Sequence, residues 1–112
     1  MNDLTEEQRT RQAELLATCR QFSGEYRPGH HGKASWATTY SDDFVAAAAD
    51  LCLLYQRAGC AEGRDSVTRL QTAFRSFRIS SCRGGIFTYD TTKYLYWNLI
   101  IPEFKRRGLM AA

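Results

Sequence analysis

Histidine and proline are scarce in this chain, and long apolar runs are missing. Histidine occurs only as the adjacent pair His30 and His31, in "PGHHGK". No Cys-x-x-Cys accompanies it and no His-x-x-x-His falls on a helical stretch, the spacings that zinc sites normally show. The pair therefore reads as part of a polar loop, and no metal or cofactor is expected. The longest weakly polar run, "FVAAAADLCLLY", is broken by Asp50. A membrane-spanning helix needs roughly 20 predominantly apolar residues, so none is expected. The first residues, "MNDLTEEQRTRQ", lack the apolar segment of a signal peptide, and a cytoplasmic location is the expectation.

Without a secretion signal, Cys19, Cys52, Cys60 and Cys82 are expected as reduced thiols. Cys19 and Cys52 sit among apolar helical positions and look like small core residues. Cys60 and Cys82 follow helix ends, where more exposure is expected. No cysteine lies at a helix start among cations, where a thiolate would be favoured; Cys82 beside Arg83 comes nearest. "GHHGK" and "CRGG" lack the spacing of a phosphate-binding loop. Because no nucleophile, base and oxyanion donor can be named together, no catalytic residue is expected.

What remains is a 112-residue chain of which 44% is apolar. A single domain of this size can bury roughly 65% of its unfolded surface, enough for one core. Its charge is uneven. Residues 1–50 hold five Lys or Arg against eight Asp or Glu, a balance of −3; residues 51–112 hold ten against four, a balance of +6. That asymmetry suits an acidic partner or head-to-tail self-association, though a solvated basic surface explains it as well.

Helical spacing recurs along the chain. Thr5 and Gln8 form a capping-box pattern ahead of Leu15, Leu16, Cys19 and Phe22, which predicts a first helix over 5–22 with Gly24 as its stop. Its first two turns carry little apolar surface and are expected in solvent. Residues 24–40 read as a long loop anchored by Trp36 and Tyr40, a candidate contact surface. Ser41 opens a second helix with Asp42 and Asp43 in its first turn and Gly59 as its stop. Phe44, Ala47, Ala48, Leu51, Cys52, Leu54 and Tyr55 give it a broad apolar face. A third helix is predicted over 65–79, capped by Asp65 or Ser66, with Val67, Leu70, Phe74 and Phe77 as its buried stripe.

The stretch "TTKYLYWNLIIPEFKRRG" is apolar on more than one face. As a helix from Asp90 or Thr91 to Arg107, closed by Gly108 and kinked at Pro102, it places Tyr94, Tyr96, Trp97, Ile100, Ile101 and Phe104 on one wide arc. Leu95 and Leu99 fall on another. As a hairpin around "DTTK", its alternation also leaves apolar residues on both sides. The kinked helix is favoured. Either way an apolar surface is left over, and a partner protein or a second copy of the chain is expected to cover it; the alternative is that the four elements of the domain wrap the stretch completely.

Arginine on the third helix, Arg69, Arg75 and Arg78 with Arg64 and Arg83 flanking, raises an alternative: a small nucleic-acid-binding regulator. The turn "AGCAEGRD" is too long for a standard helix-turn-helix, and acidic residues dominate the first half. "FKRRGL" offers a basic tip but no long lysine-rich amphipathic helix for a membrane surface.

In its length, its polar start "NDLTEEQRTRQAELL" and its C-terminal "YLYWNLIIPEFKRRG", the chain resembles the QslA-like bacterial quorum-sensing anti-activators. That resemblance implies a helical homodimer. It implies binding to the ligand-binding domain of a LuxR-type transcription factor, which blocks that factor's dimerisation and DNA binding stoichiometrically.

The sequence thus predicts a mainly α single domain over 1–112, a bundle of three to four helices with a short hairpin near the C-terminus as the alternative there. It predicts a protein-binding regulator without catalysis. Aromatic residues and arginine dominate interfaces, so the candidate contact residues are Tyr94, Tyr96, Trp97, Leu99, Ile100 and Phe104, rimmed by Arg106 and Arg107. On this reading, aspartate at Tyr96 or Leu99 is expected to weaken partner binding while circular dichroism stays native.

Overall fold

The computed structural model describes residues 4–22, 41–75 and 88–110. The loop 24–40 with His30, His31, Trp36 and Tyr40, the stop at Gly24, and the segment that carries Phe77, Arg78, Cys82 and Arg83 lie outside the described residues. The described chain is helical throughout. Its elements are α1 (Glu6–Phe22), α2 (Asp42–Arg57), α3 (Arg64–Ala73), α4 (Tyr89–Leu95), a π-helical turn (Tyr96–Ile100) and α5 (Ile101–Arg106). The last three follow one another without a gap and form one rod, so the hairpin alternative is not the one the chain takes over 89–101. No helix among the described residues is long and apolar enough to cross a membrane.

Local chemistry fixes most helix ends. Thr5 and Gln8 close the capping box reciprocally: the Thr5 amide donates to Gln8 Oε1 at 2.9 Å and the Gln8 amide to Thr5 Oγ1 at 3.1 Å. Ser41 Oγ accepts from the Phe44 amide at 3.1 Å and starts α2. After α2, the Gly59 amide bonds to the Gln56 carbonyl and the Cys60 amide to that of Tyr55. This paired C-terminal closure needs a left-handed residue, and Gly59 has φ 105°. After α5, the Gly108 amide bonds to Lys105 and the Leu109 amide to Phe104, with Gly108 at φ 77°.

Two expected caps are corrected. Thr88, not Asp90 or Thr91, starts the rod: its hydroxyl accepts from the Thr91 amide at 3.1 Å. Neither Asp65 nor Ser66 caps α3. Gly63 occupies that position with no side-chain bond, and Ser66 is buried one turn in, where its hydroxyl donates to the Ala61 carbonyl and accepts from Gln56 Nε2. α3 is also shorter than expected: Phe74 is its C-cap, and Arg75 stands beyond it in a turn.

α2 lies at the centre. α1 packs along one side of it, and α3 and the rod pack on the others. Ala47, Ala48 and Ala49 are buried and let the neighbouring helices come close. Leu15 and Cys19 of α1, Leu51 and Cys52 of α2, Val67 and Leu70 of α3, and Leu95 and Ile100 of the rod share one core. Phe44 and Phe74 meet there with ring centroids 5.8 Å apart. α1 has too few apolar residues to bury its inner face with carbon alone. Its Gln12 instead accepts a 2.6 Å hydrogen bond from the Tyr55 hydroxyl. Most residues of the first turns of α1 are exposed as expected, with Gln8 half-buried, and Leu4 just before the helix packs against the core.

The structure keeps Cys19, Cys52 and Cys60 as free thiols. Cys60, expected near the surface, is buried, because the closure after Gly59 turns the chain back onto the core. Burial pushes the Cys19 and Cys52 thiols from an ordinary 9.0 up to about 12. The Tyr55 phenol rises from 10.0 to about 12 for the same reason, against the lowering influence of Arg69. Above pH 9.0 the unfolded thiols lose protons that the folded ones keep until about pH 12. Unfolding then releases protons, so stability falls as pH rises through that window. Urea-unfolding midpoints are expected to hold steady from pH 7 to 8.5 as far as these groups go and to drop progressively from pH 9 to 11. A midpoint unchanged at pH 11 would contradict the burial of these groups.

Candidate partner-binding surface

The rod carries all eight candidate contact residues, and the structure sorts them by burial. In a regular helix the buried stripe advances by three or four residues at a time. Here it runs Thr91 and Thr92, then Leu95 and Tyr96, then Ile100 and Ile101, then Phe104. The step from Leu95 and Tyr96 to Ile100 and Ile101 is five residues. The π-helical turn supplies the extra one: the Ile101 amide reaches the Tyr96 carbonyl, five residues back.

Pro102 gives this turn its place. It has no amide hydrogen, and in a regular helix its ring would strike the carbonyl four residues earlier. The wider turn immediately before it relieves that clash, and Pro102 then sits in the first turn of α5, where no amide is needed. The expected kink at Pro102 is thus resolved as a bulge over Tyr96–Ile100.

Tyr96, Ile100 and Phe104 are core residues in this chain. Tyr96 is only 1% exposed, and its hydroxyl accepts a 3.1 Å bond from the Gly63 amide at the head of α3. Tyr94 and Leu99 are half-buried. Trp97 is 50% exposed. Its ring stands edge-on to Tyr96, with centroids 5.0 Å apart and planes at 87°, beside Gly63. Gly63 holds φ +78°, which a side chain would strain; the space around it is ample.

The two arginines divide in the same way. Arg106 is exposed and pairs with Glu103 one turn back. Its hydrogen bond is the main cause that holds the Glu103 carboxyl below its ordinary range. Arg107 reaches inward: its guanidinium meets Asp50 Oδ1 at 2.6 Å and Glu103 Oε2 at 2.8 Å. Asp50, the one charge in the longest apolar run of α2, is therefore the anchor for the end of the rod. A half-buried arginine that bridges two carboxylates in this way outweighs an ordinary surface pair, which contributes under about 1 kcal/mol.

An apolar groove of about 180 Å³ lies between α2 and the rod, lined by Leu53, Tyr96, Ile101, Phe104, Leu109 and Met110, with Gln56 and Glu62 at its polar edge. Leu109, 49% exposed, stands on it. Trp97 is not part of its lining; it rests on the Tyr96 ring and beside Gly63, next to Tyr96 and Glu62, which do line it. Trp97 and Leu109 are the exposed large hydrophobics among the described residues. Leu109, Leu53 and Met110 were absent from the sequence-based set. For Leu109 there was a signal, an apolar residue just past a helix-stopping glycine, where a contact back to the last turn is common.

A second cleft of about 420 Å³ lies between α1 and α2. Leu15, Leu53 and Leu54 form its floor, with Glu7, Arg11, Asp50 and Arg57 around them. Leu53 borders both depressions, so the apolar groove and the charged cleft meet along α2. Among the described residues, Arg64, Arg69 and Arg75 do not make a continuous basic face; Arg78 and Arg83 lie outside them. Arg69 lies over the Tyr55 ring at 4.4 Å, Arg64 and Arg75 are exposed, and Arg75 has left the helix.

Comparison of the chain with protein-family models, curated proteins and solved structures finds no match. The resemblance to the QslA-like anti-activators rests on the residues quoted for it.

Because Tyr96 is core, the expectation for its aspartate variant reverses. Tyr96→Asp buries a charge and is expected to abolish the helical spectrum. Tyr96→Phe leaves the Gly63 amide without its partner and is expected to cost about 1–3 kcal/mol in urea unfolding. Trp97→Ala loses only the half of the ring that rests on Tyr96 and Gly63 and is expected to cost about 1–2 kcal/mol, well below the about 3–5 kcal/mol expected for Tyr96→Ala. Equal losses for Tyr96→Ala and Trp97→Ala would show that this division of the rod is misassigned.

Proposed function

We propose that this chain is a small regulatory protein that binds another protein stoichiometrically and carries out no catalysis. The observation that carries the reading is Trp97. It is a large aromatic residue held half-open against Tyr96, which itself lines the apolar groove on which exposed Leu109 stands. Tryptophan is among the residues that most often supply binding energy, and it does so in settings where apolar surroundings exclude water. The contact set is therefore Trp97 and Leu109, flanked by the half-buried Tyr94 and Leu99 and by exposed Arg106.

The resemblance to QslA-like proteins supplies the target class. On it, the partner is a LuxR-type transcription factor, and the chain acts as an anti-activator. It occupies a surface the factor needs for dimerisation and so prevents DNA binding. The same resemblance supports a homodimer of this chain.

The test is an affinity purification of tagged protein from nuclease-treated lysate of its own source, run beside Trp97→Asp and Leu109→Asp. The parent is expected to retain one stoichiometric protein, which the variants lose while their circular dichroism stays native. A DNA-binding regulator as that protein, released from its operator when the purified chain is added, would specify the anti-activator. A partner held equally by both variants would remove Trp97 and Leu109 from the site. Recovery of nucleic acid alone, with nuclease omitted, would overturn the protein-binding reading.

A further inference from the structure

On the face formed by α3 and the turn that precedes it lies a third depression, separate from the groove beside Trp97. It is a cleft of about 280 Å³ lined by Gly59, Cys60, Ala61, Asp65, Thr68, Arg69 and Thr72. Arg69 is the unusual residue in it. Its guanidinium lies against the Tyr55 ring at 4.4 Å, so one face of the cation is covered by an aromatic surface. Tyr55 is held from its other end by Gln12 of α1, which fixes the platform. Yet Arg69 makes no hydrogen bond and no ion pair among the described residues, and its Nε is buried without a partner. Arginine carries five donors in one plane, at the edge that stacking leaves open. A partly buried cation with an orphan donor is costly, and such a group in a folded protein calls for an ion or other partner.

We infer that this cleft binds a single oxyanion group, a phosphate or a carboxylate, on the edge of the Arg69 guanidinium. Stacking on Tyr55 orients the fork before the ligand arrives, so little side-chain freedom is lost on binding. Thr68 and Thr72 do not compete for Arg69, because their hydroxyls donate to the carbonyls of Arg64 and Thr68. Asp65 lines the same cleft one turn before Arg69 and makes no ion pair with it. Its carboxylate opposes an incoming anion and limits the affinity.

Asp65 makes the proposal easy to refute. Full-length protein is titrated with inorganic phosphate and, separately, with acetate, at constant ionic strength, while the backbone amide signals of Ala61, Arg69 and Thr72 are followed by NMR. Saturable shifts with at least one of the two anions are expected; phosphate alone would point to a phosphoryl ligand and acetate alone to a carboxylate. Arg69→Gln is expected to weaken binding by about tenfold or more, the loss of a charge-assisted hydrogen bond. Arg69→Lys, which keeps the charge and part of the packing, guards against a folding defect in the glutamine variant. Asp65→Asn is expected to tighten binding at unchanged thermal stability. No saturable shift with either anion, or an unaltered titration for Arg69→Gln, would overturn the inference. So would a destabilised Asp65→Asn variant that binds no better, since Asp65 would then be the counter-ion of Arg69.

Discussion

The one-residue expansion of the rod at Tyr96–Ile100 sets most of what this structure can do. With a regular helix the residues that follow Leu95 and Tyr96 into the core would be Leu99 and Ile100. The π-helical turn advances the stripe to Ile100 and Ile101, both buried. Leu99 is turned partly outward, and Trp97 is left half in solvent. π-helical turns are uncommon and recur at functional sites. Here the exposed aromatic and the register shift occupy the same five residues. Pro102 makes the alternative costly, because restoring a regular helix would return its ring to the carbonyl it now avoids, at about 3 kcal/mol.

The rod is short and broken, so its position comes from its contacts and not from helix propensity. Three polar links locate it. The Thr88 cap starts it. The Tyr96 hydroxyl takes the Gly63 amide and ties its middle to the head of α3. Arg107 ties its end to Asp50 of α2 and, more weakly, to the Ala46 carbonyl at 3.4 Å. These bonds fix which way the rod faces; the buried Leu95, Ile100, Ile101 and Phe104 supply the larger share of the burial energy.

The capping box at Thr5, the Ser41 cap and the glycine closures at Gly59 and Gly108 were legible in the sequence because each depends on residues within a few positions. The fold class followed from them and from the apolar spacing. The division of the rod into core and surface was not legible, because it depends on departing from 100° per residue, which no spacing argument anticipates without knowing that a bulge precedes Pro102. Arg107 was placed on a rim because arginine is a residue type common at interfaces. Its partner Asp50 lies 57 residues away in sequence. Cys60 was placed near the surface because helix ends often are, yet the closure after Gly59 folds it back inside. Arg69 gave no sign of its aromatic platform for the same reason: Tyr55 belongs to another helix.

On the proposed function, Tyr96 and Trp97 keep stability and recognition apart on neighbouring residues. Tyr96 spends its whole surface on the core and satisfies a buried amide. Trp97 spends half of its surface on Tyr96 and Gly63 and leaves the other half open. A free tryptophan on a surface would lose rotamer freedom when a partner immobilised it, at about 0.5–1.5 kcal/mol. The edge-on contact with the fixed Tyr96 ring imposes much of that restriction in the unbound chain. An exposed aromatic held in this way costs the fold little, because the core is complete without it, and it lowers what a partner must contribute. Under the proposed function, that is the physical difference between a leftover apolar residue and a prepared anchor, and it lies in the contact between two consecutive side chains on an expanded turn.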